Sequence, residues 1–231
     1  MGDATPALLE VRREIAAACR RTGRDPGEVT LIGAAKTVPA ARLQLFLDAG
    51  LSDLGENYVQ EAVPKIDVLG RVARWHCIGA LQSNKAVLAV RYFDVIHSVD
   101  RLSLAAAIQK AAGTQDKMQE VLLQVNVGDE ATKAGCSLDE LPHLAAACGG
   151  MGNLQVRGLM CLPPYHEDAA RTRPYFRQLR AARDALLKDG VLDAAIFNHL
   201  SMGMSHDFEV AVEEGATMVR IGTRLFGARP A

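Results

Sequence analysis

The sequence predicts a single (β/α)8 barrel of the TIM type over residues 1–231, with an extra helix ahead of the first strand; a doubly wound open sheet is the alternative. Three observations lead there. Short apolar runs alternate with segments of helical periodicity eight times along the chain. Most of those runs are continuous, as strands buried on both faces of a parallel sheet require. The 231 residues suit one barrel, and no linker, charge block or low-complexity stretch divides them.

Taken in order, the elements are as follows. From about Thr5 to Arg21, Leu8, Val11, Ile15 and Ala18 recur at helical spacing between charged residues, which predicts an amphipathic helix. After the turn "GRDPGE", "VTLIGAAK" is a strand. Pro39 then marks the start of a helix carrying "ARLQLFLDAG", whose Gly50 suits a C-terminal cap. The same grammar continues with "SDLGE" before "YVQEAVPKIDVL", "RWHCIGA" before "NKAVLAV", "FDVIHSV" before "RLSLAAAIQKAA", and "QEVLLQVNV" before "SLDELPHLAAAC". Pro64 is expected to bend or divide the second of these helices. "LQVRGLM" precedes a helix from about Arg173 to Lys188, "AIFNHLS" precedes "HDFEVAVEEG", and "ATMVRIG" precedes a short "TRLFGAR".

Composition excludes several classes of function. With 26 basic and 27 acidic residues and a net charge of -1, no global field draws the chain to nucleic acid or an anionic membrane. An anionic ligand must therefore be held by a local site. Cys19, Cys77, Cys136, Cys148 and Cys161 are widely spaced, with no C-x-x-C pair, and are expected to be reduced. The histidines form no H-E-x-x-H, and His76, His97 and His199 fall on different strands, so no metal site is expected. The first residues hold no long apolar stretch, and Pro6 stands where myristoylation wants Ser or Thr. The expectation is a cytoplasmic monomer without a membrane span.

In such barrels chemistry sits where strands end and βα loops begin. Lys36 and Thr37 end the first strand; Glu56 and Asn57 the second; His76 lies in the third. "SMGMS" and "GT" close the seventh and eighth, pairing glycine with hydroxyl residues at predicted helix starts, where free N–H groups favour an anion. Gly203 and Gly222 would let the backbone approach a phosphate, with Ser201, Ser205 and Thr223 as hydroxyl donors. Burial of Lys36 would favour a neutral, nucleophilic amine. An amine at one strand end, facing a phosphate seat across the barrel mouth, is what pyridoxal 5'-phosphate (PLP) needs. The competing possibility is that Lys36 reaches solvent and pairs with Glu56.

The segments "AAKT", "LGENYVQE", "WHCIGALQSNK", "IHSVD", "QVNVGDEATKAG", "LSMGMSHDFEVAV" and "VRIGTRLFGAR" together resemble the pyridoxal-phosphate homeostasis protein family, stand-alone barrels related to the N-terminal domain of alanine racemase. The resemblance implies a PLP barrel of fold type III with the cofactor as a Schiff base on Lys36 and Asn57 near the ring. It further implies phosphate contacts from Ser201, Met202, Gly222 and Thr223, and Arg220 beneath the pyridine; His76 and Gly203 are counted with this set. Lys133 matches a lysine many relatives keep and is the candidate for a secondary PLP or transfer site, although a solvated loop lysine beside Asp129 and Glu130 is the plainer reading. Val38 and Ala80 depart from the family pattern, which usually has lysine and proline there.

The expected role is PLP homeostasis, the buffering or delivery of cofactor, with PLP-dependent apoenzymes as recipients and without robust catalysis. The racemases use a tyrosine from a second domain as their other base, and the eighth unit here leaves no residues to build one. The alternatives are a small PLP-dependent amino-acid racemase and a barrel that binds a phosphorylated sugar non-covalently.

Overall fold

The structure is a computed structural model that describes residues 4–128 and 134–227. Eight parallel strands close into a barrel in sequence order: β1 (Thr30–Ala34), β2 (Asp53–Glu56), β3 (Arg74–Cys77), β4 (Val95–Val99), β5 (Gln119–Val125), β6 (Leu154–Cys161), β7 (His199–Met204) and β8 (Met218–Ile221). β8 pairs back onto β1 through Thr30–Met218 to Gly33–Ile221. Nine α-helices occur among the described residues: α1 (Thr5–Arg21), α2 (Ala40–Asp48), α3 (Val59–Leu69), α4 (Ala86–Tyr92), α5 (Leu102–Thr114), α6 (Leu141–Gly149), α7 (Arg173–Lys188), α8 (Phe208–Glu213) and α9 (Thr223–Phe226).

The strand pattern explains where the core sits. Alternate residues of a strand face opposite sides of the sheet. One set points into the barrel, where Ile32, Val95, Leu122, Met160 and Met218 form their own packed cluster. The other set, with Leu54, Trp75, Cys77, Ile96 and Leu123, joins the larger core between barrel and helices. Every residue of β2 and β4 is buried, as the continuous apolar runs require. All five cysteines are free thiols packed in this core.

Two elements differ from the sequence expectation. Pro64 lies inside α3 without dividing it. Its missing N–H would have bonded the carbonyl of Gln60, and both residues are exposed, so water can satisfy that carbonyl. β7 begins at His199, later than "AIFNHLS" suggested. Asp193 takes the preceding residues into a turn: its side chain accepts from Ala195 N–H at 2.9 Å and its carbonyl from Phe197 N–H at 2.8 Å. The apolar pair Ile196–Phe197 thus closes a turn, with Phe197 buried and Ile196 half-buried, and the "SMGM" segment becomes strand.

No helix among the described residues is long and apolar enough to cross a membrane. Nor do those residues contain a group of three or more His, Cys, Asp or Glu placed to hold a metal ion.

Candidate functional site

Lys36 stands two residues beyond β1, on the inward parity set by Ile32 and Ala34. The chain turns sharply after it: Thr37 takes φ 64°, and Val38 N–H bonds Ala35 O at 3.0 Å. That turn is anchored from outside the barrel. Lys65 of α3 donates to Ala35 O at 2.8 Å and to Glu56 Oε1 at 2.5 Å. Glu56 is fully buried, and burial raises its pKa although Lys65 works against it. Glu56 therefore faces α3, and its cation is Lys65; the Lys36–Glu56 pair considered from sequence does not form. Lys36 itself is half-buried, less enclosed than the sequence suggested, and has no ion pair or hydrogen bond among the described residues.

Lys36 lines one cleft with Thr37, Arg42, Gly222, Thr223 and Phe226. Gly222 caps the N-terminus of α9, and its N–H donates to Ser205 Oγ at 3.1 Å, tying the loop after β8 to the loop after β7. Asn57 stands two residues beyond Gly55, which pairs with Ala34, so Asn57 and Lys36 leave neighbouring strands at equal height. Gly79 passes so close that a Cβ on it would lie 2.4 Å from Asn57 O, which fixes that loop against the third βα turn.

Below the mouth the barrel is polar along one line. Arg220 is 4% exposed; it donates to Ser201 Oγ at 2.5 Å and to Cys161 O at 2.8 Å. Ser201 Oγ meets His97 Nδ1 at 2.9 Å, His97 Nε2 meets His76 Nδ1 at 2.9 Å, and His76 Nε2 meets Asp53 Oδ1 at 2.9 Å. β4 and β7 are not neighbours, so the His97–Ser201 bond crosses the interior. Burial drives the His97 pKa well below 6.5. Burial opposes ionisation of Asp53, but hydrogen bonds from His76 and Ser52 outweigh it and hold the carboxyl below its ordinary value.

Chemically, this mouth combines an amine with no partner among the described residues, a helix start at Thr223 whose capping N–H, that of Gly222, is already bonded to Ser205, and a guanidinium with donors to spare. The family of the alanine racemase N-terminal domain matches residues 13–230. The pyridoxal phosphate homeostasis protein of Aquifex aeolicus is 46% identical, over 98% of this chain and 99% of its own; that of Escherichia coli K12 is 42% identical, over 99% and 98%. The chain belongs to the pyridoxal phosphate homeostasis protein family. Among solved structures, PipY of Synechococcus elongatus, solved with PLP bound, superposes with a TM-score of 0.78 at 38% identity, covering 94% of this chain and 100% of that one. Solved without PLP, it gives 0.82 at 39%, covering 93% and 99%.

For this member of the family, the structure sorts the residues expected from sequence. Lys36, Gly222 and Thr223 come together, and Arg220 lies on the same inward side of β8 below Gly222; Asn57 leaves the neighbouring strand at the height of Lys36 but lines a separate cleft with Tyr58 and Lys85. Ser201, Met202 and Gly203 do not sit at a helix start: they lie within β7, all buried. The Ser201 hydroxyl is taken by Arg220 and His97, and Met202 packs in the outer core. Gly203 adopts φ 92°, and a Cβ there would come 2.6 Å from Ala211 Cβ, so its role is to admit α8. His76 lies one layer beneath Asn57, paired with Gly55, with no exposed surface and both ring nitrogens bonded, so it does not reach the mouth. Lys133 lies outside the described residues. Asp53, His97 and Lys65 were not singled out for these roles from sequence, because which partners they meet is set by the folded barrel.

Proposed function

We propose that this protein binds PLP as its cofactor, carries it as a Schiff base on Lys36 and acts in PLP homeostasis, buffering the cofactor or delivering it to PLP-dependent apoenzymes, without robust catalysis. The observation that carries this is the cleft that Lys36, without a partner among the described residues, lines together with Gly222 and Thr223. Lys36 Nζ would hold the ligand through its aldehyde, with loss of water, and the backbone amides that follow Gly222, whose own N–H is bonded to Ser205, would hold its acidic group. Arg220 lies deeper on the same inward face and suits a pyridine nitrogen, which it would hold unprotonated and so make a weaker electron sink. The names of the relatives and the PLP-bound state of PipY support the same ligand.

The absence of robust catalysis is consistent with the cleft. No tyrosine is among the described residues lining the Lys36 cleft, and Tyr165, in the loop after β6, is 75% exposed and rests against His206. The decisive experiment is borohydride reduction of the PLP-loaded protein followed by peptide mass mapping. The expected result is a visible absorbance band in wild type, lost in Lys36→Ala, and a trapped mass on Lys36 alone. A colourless wild type, or label on another amine, would overturn the proposal. Incubation with D- or L-alanine should give no racemisation on the time scale of enzymatic turnover; turnover lost in Lys36→Ala would establish the racemase instead.

A further inference from the structure

The hydrogen bonds beneath the mouth have a direction. Arginine only donates, so the Arg220–Ser201 bond fixes Ser201 Oγ as its acceptor. At the far end the ionised Asp53 only accepts, so His76 carries a proton on Nε2. With both imidazoles neutral, His76 Nδ1 accepts from His97 Nε2–H, and His97 Nδ1 accepts from the Ser201 hydroxyl. Each bond then runs from Arg220 down to Asp53, and each of these donors has a partner. A second positive charge on either ring would strand the serine proton and bury another cation near Arg220. The chain is an ion pair between Arg220 and Asp53 held apart by three neutral side chains.

We propose that Asp53, His76, His97 and Ser201 are positioning residues for Arg220: the chain pins one edge of its guanidinium so that the remaining N–H groups face the ring nitrogen of the bound ligand and hold it unprotonated. None of the four needs to touch the ligand. The ligand's identity rests on the PLP reading above; the direction of the chain does not.

The chain is tested first in ligand-free protein by long-range 1H–15N NMR of the imidazoles at neutral pH. The expected spectrum has His76 and His97 neutral, each protonated on Nε2; an imidazolium or an Nδ1–H tautomer at either ring overturns the proposal, whatever becomes of PLP binding. The second test uses PLP labelled with 15N in the ring, on wild type, His97→Gln and His97→Leu. Glutamine can accept from Ser201 through its carbonyl and donate to His76 through its amide, preserving the direction; leucine cannot. His97→Leu should weaken PLP retention about tenfold or more, the scale of one buried hydrogen bond to a charged group. It should also move the ring-nitrogen shift, while borohydride still traps the label on Lys36. His97→Gln should stay within about threefold of wild type, well under the same hydrogen-bond scale. Equal losses in both variants, or no change in the ring-nitrogen shift with His97→Leu, would sink the positioning role. Should His97→Leu fail to fold, Ser201→Ala removes one hydroxyl and is read against the same two outcomes.

Discussion

At the scale of single residues, Lys65 is as informative as Lys36. Its ammonium neutralises a fully buried carboxylate and bonds the carbonyl just before Lys36, so the strand end that presents the amine depends on it. Removing one partner leaves an uncompensated buried charge, so Lys65→Met should destabilise the protein by about 3 kcal/mol. The double variant Glu56→Gln with Lys65→Met should recover most of that, because no charge is left behind. Urea midpoints of the wild type and the two variants decide it; a double variant no better than the single would refute the charge argument. His97 makes a prediction in pH. Its folded pKa lies well below the ordinary 6.5, so between those values the unfolded chain binds the extra proton. Stability from this group is complete above pH 6.5 and falls as the pH drops. His199, lowered to about 4 mainly by burial, adds a similar loss between 6.5 and that value. His97→Gln should therefore flatten the fall in urea midpoint from pH 6.5 toward 5, by up to about 1.4 kcal/mol per pH unit, leaving the contribution of His199 in place. An unchanged slope would mean that His97 does not titrate on unfolding.

At the scale of elements, β7 and α8 depend on one glycine. Gly203 combines φ 92° with the approach of Ala211, whose Cβ would lie 2.6 Å from an added methyl. Gly203→Ala should cost about 2 kcal/mol from backbone strain and overpacking together, seen as a fall in Tm of about 4–8 °C; a melting point within a degree of wild type would show that α8 yields freely. The same segment marks how far sequence could be read. The eight strands and their order were legible because burial on both faces writes continuous apolar runs, and Lys36, Asn57, Gly222 and Thr223 because they stand where strands end. The start of β7 was not, since Ile196 and Phe197 look like strand and only the Asp193 turn says otherwise. That shift turned "SMGM" from loop into strand, where the Ser201 hydroxyl bonds His97 and Arg220. The polar chain was also illegible: Asp53, His76, His97, Ser201 and Arg220 come from five strands, and which of them meet depends on barrel stagger.

At the scale of the molecule, ring closure falls to the N-terminal helix. α8 has 6 residues and α9 only 4, against 16 in α7, so they cover less of the barrel's outer surface than a full-length helix would. α1, 17 residues long, packs against both and buries Leu8, Val11, Ile15, Ala18 and Cys19. Its end is tied down by Arg21 to Glu209 and Glu213, and by Arg24 to the carbonyl of Val212. These exposed ion pairs orient the helix and contribute little to its stability; the apolar face decides. Three large side chains at ~1.5–3 kcal/mol each come to about 5–9 kcal/mol, comparable with the ~5–15 kcal/mol that holds a whole domain folded. Deleting residues 1–24 should therefore abolish cooperative unfolding, giving a chain without a sharp thermal transition that binds hydrophobic dyes, while Ile15→Ala should cost about 2–5 kcal/mol and leave the transition cooperative. Calorimetry separates the two cases. A truncated protein that melts within a few degrees of wild type would show that the barrel closes without α1, and the helix would then be an addition to the ring and not one of its staves.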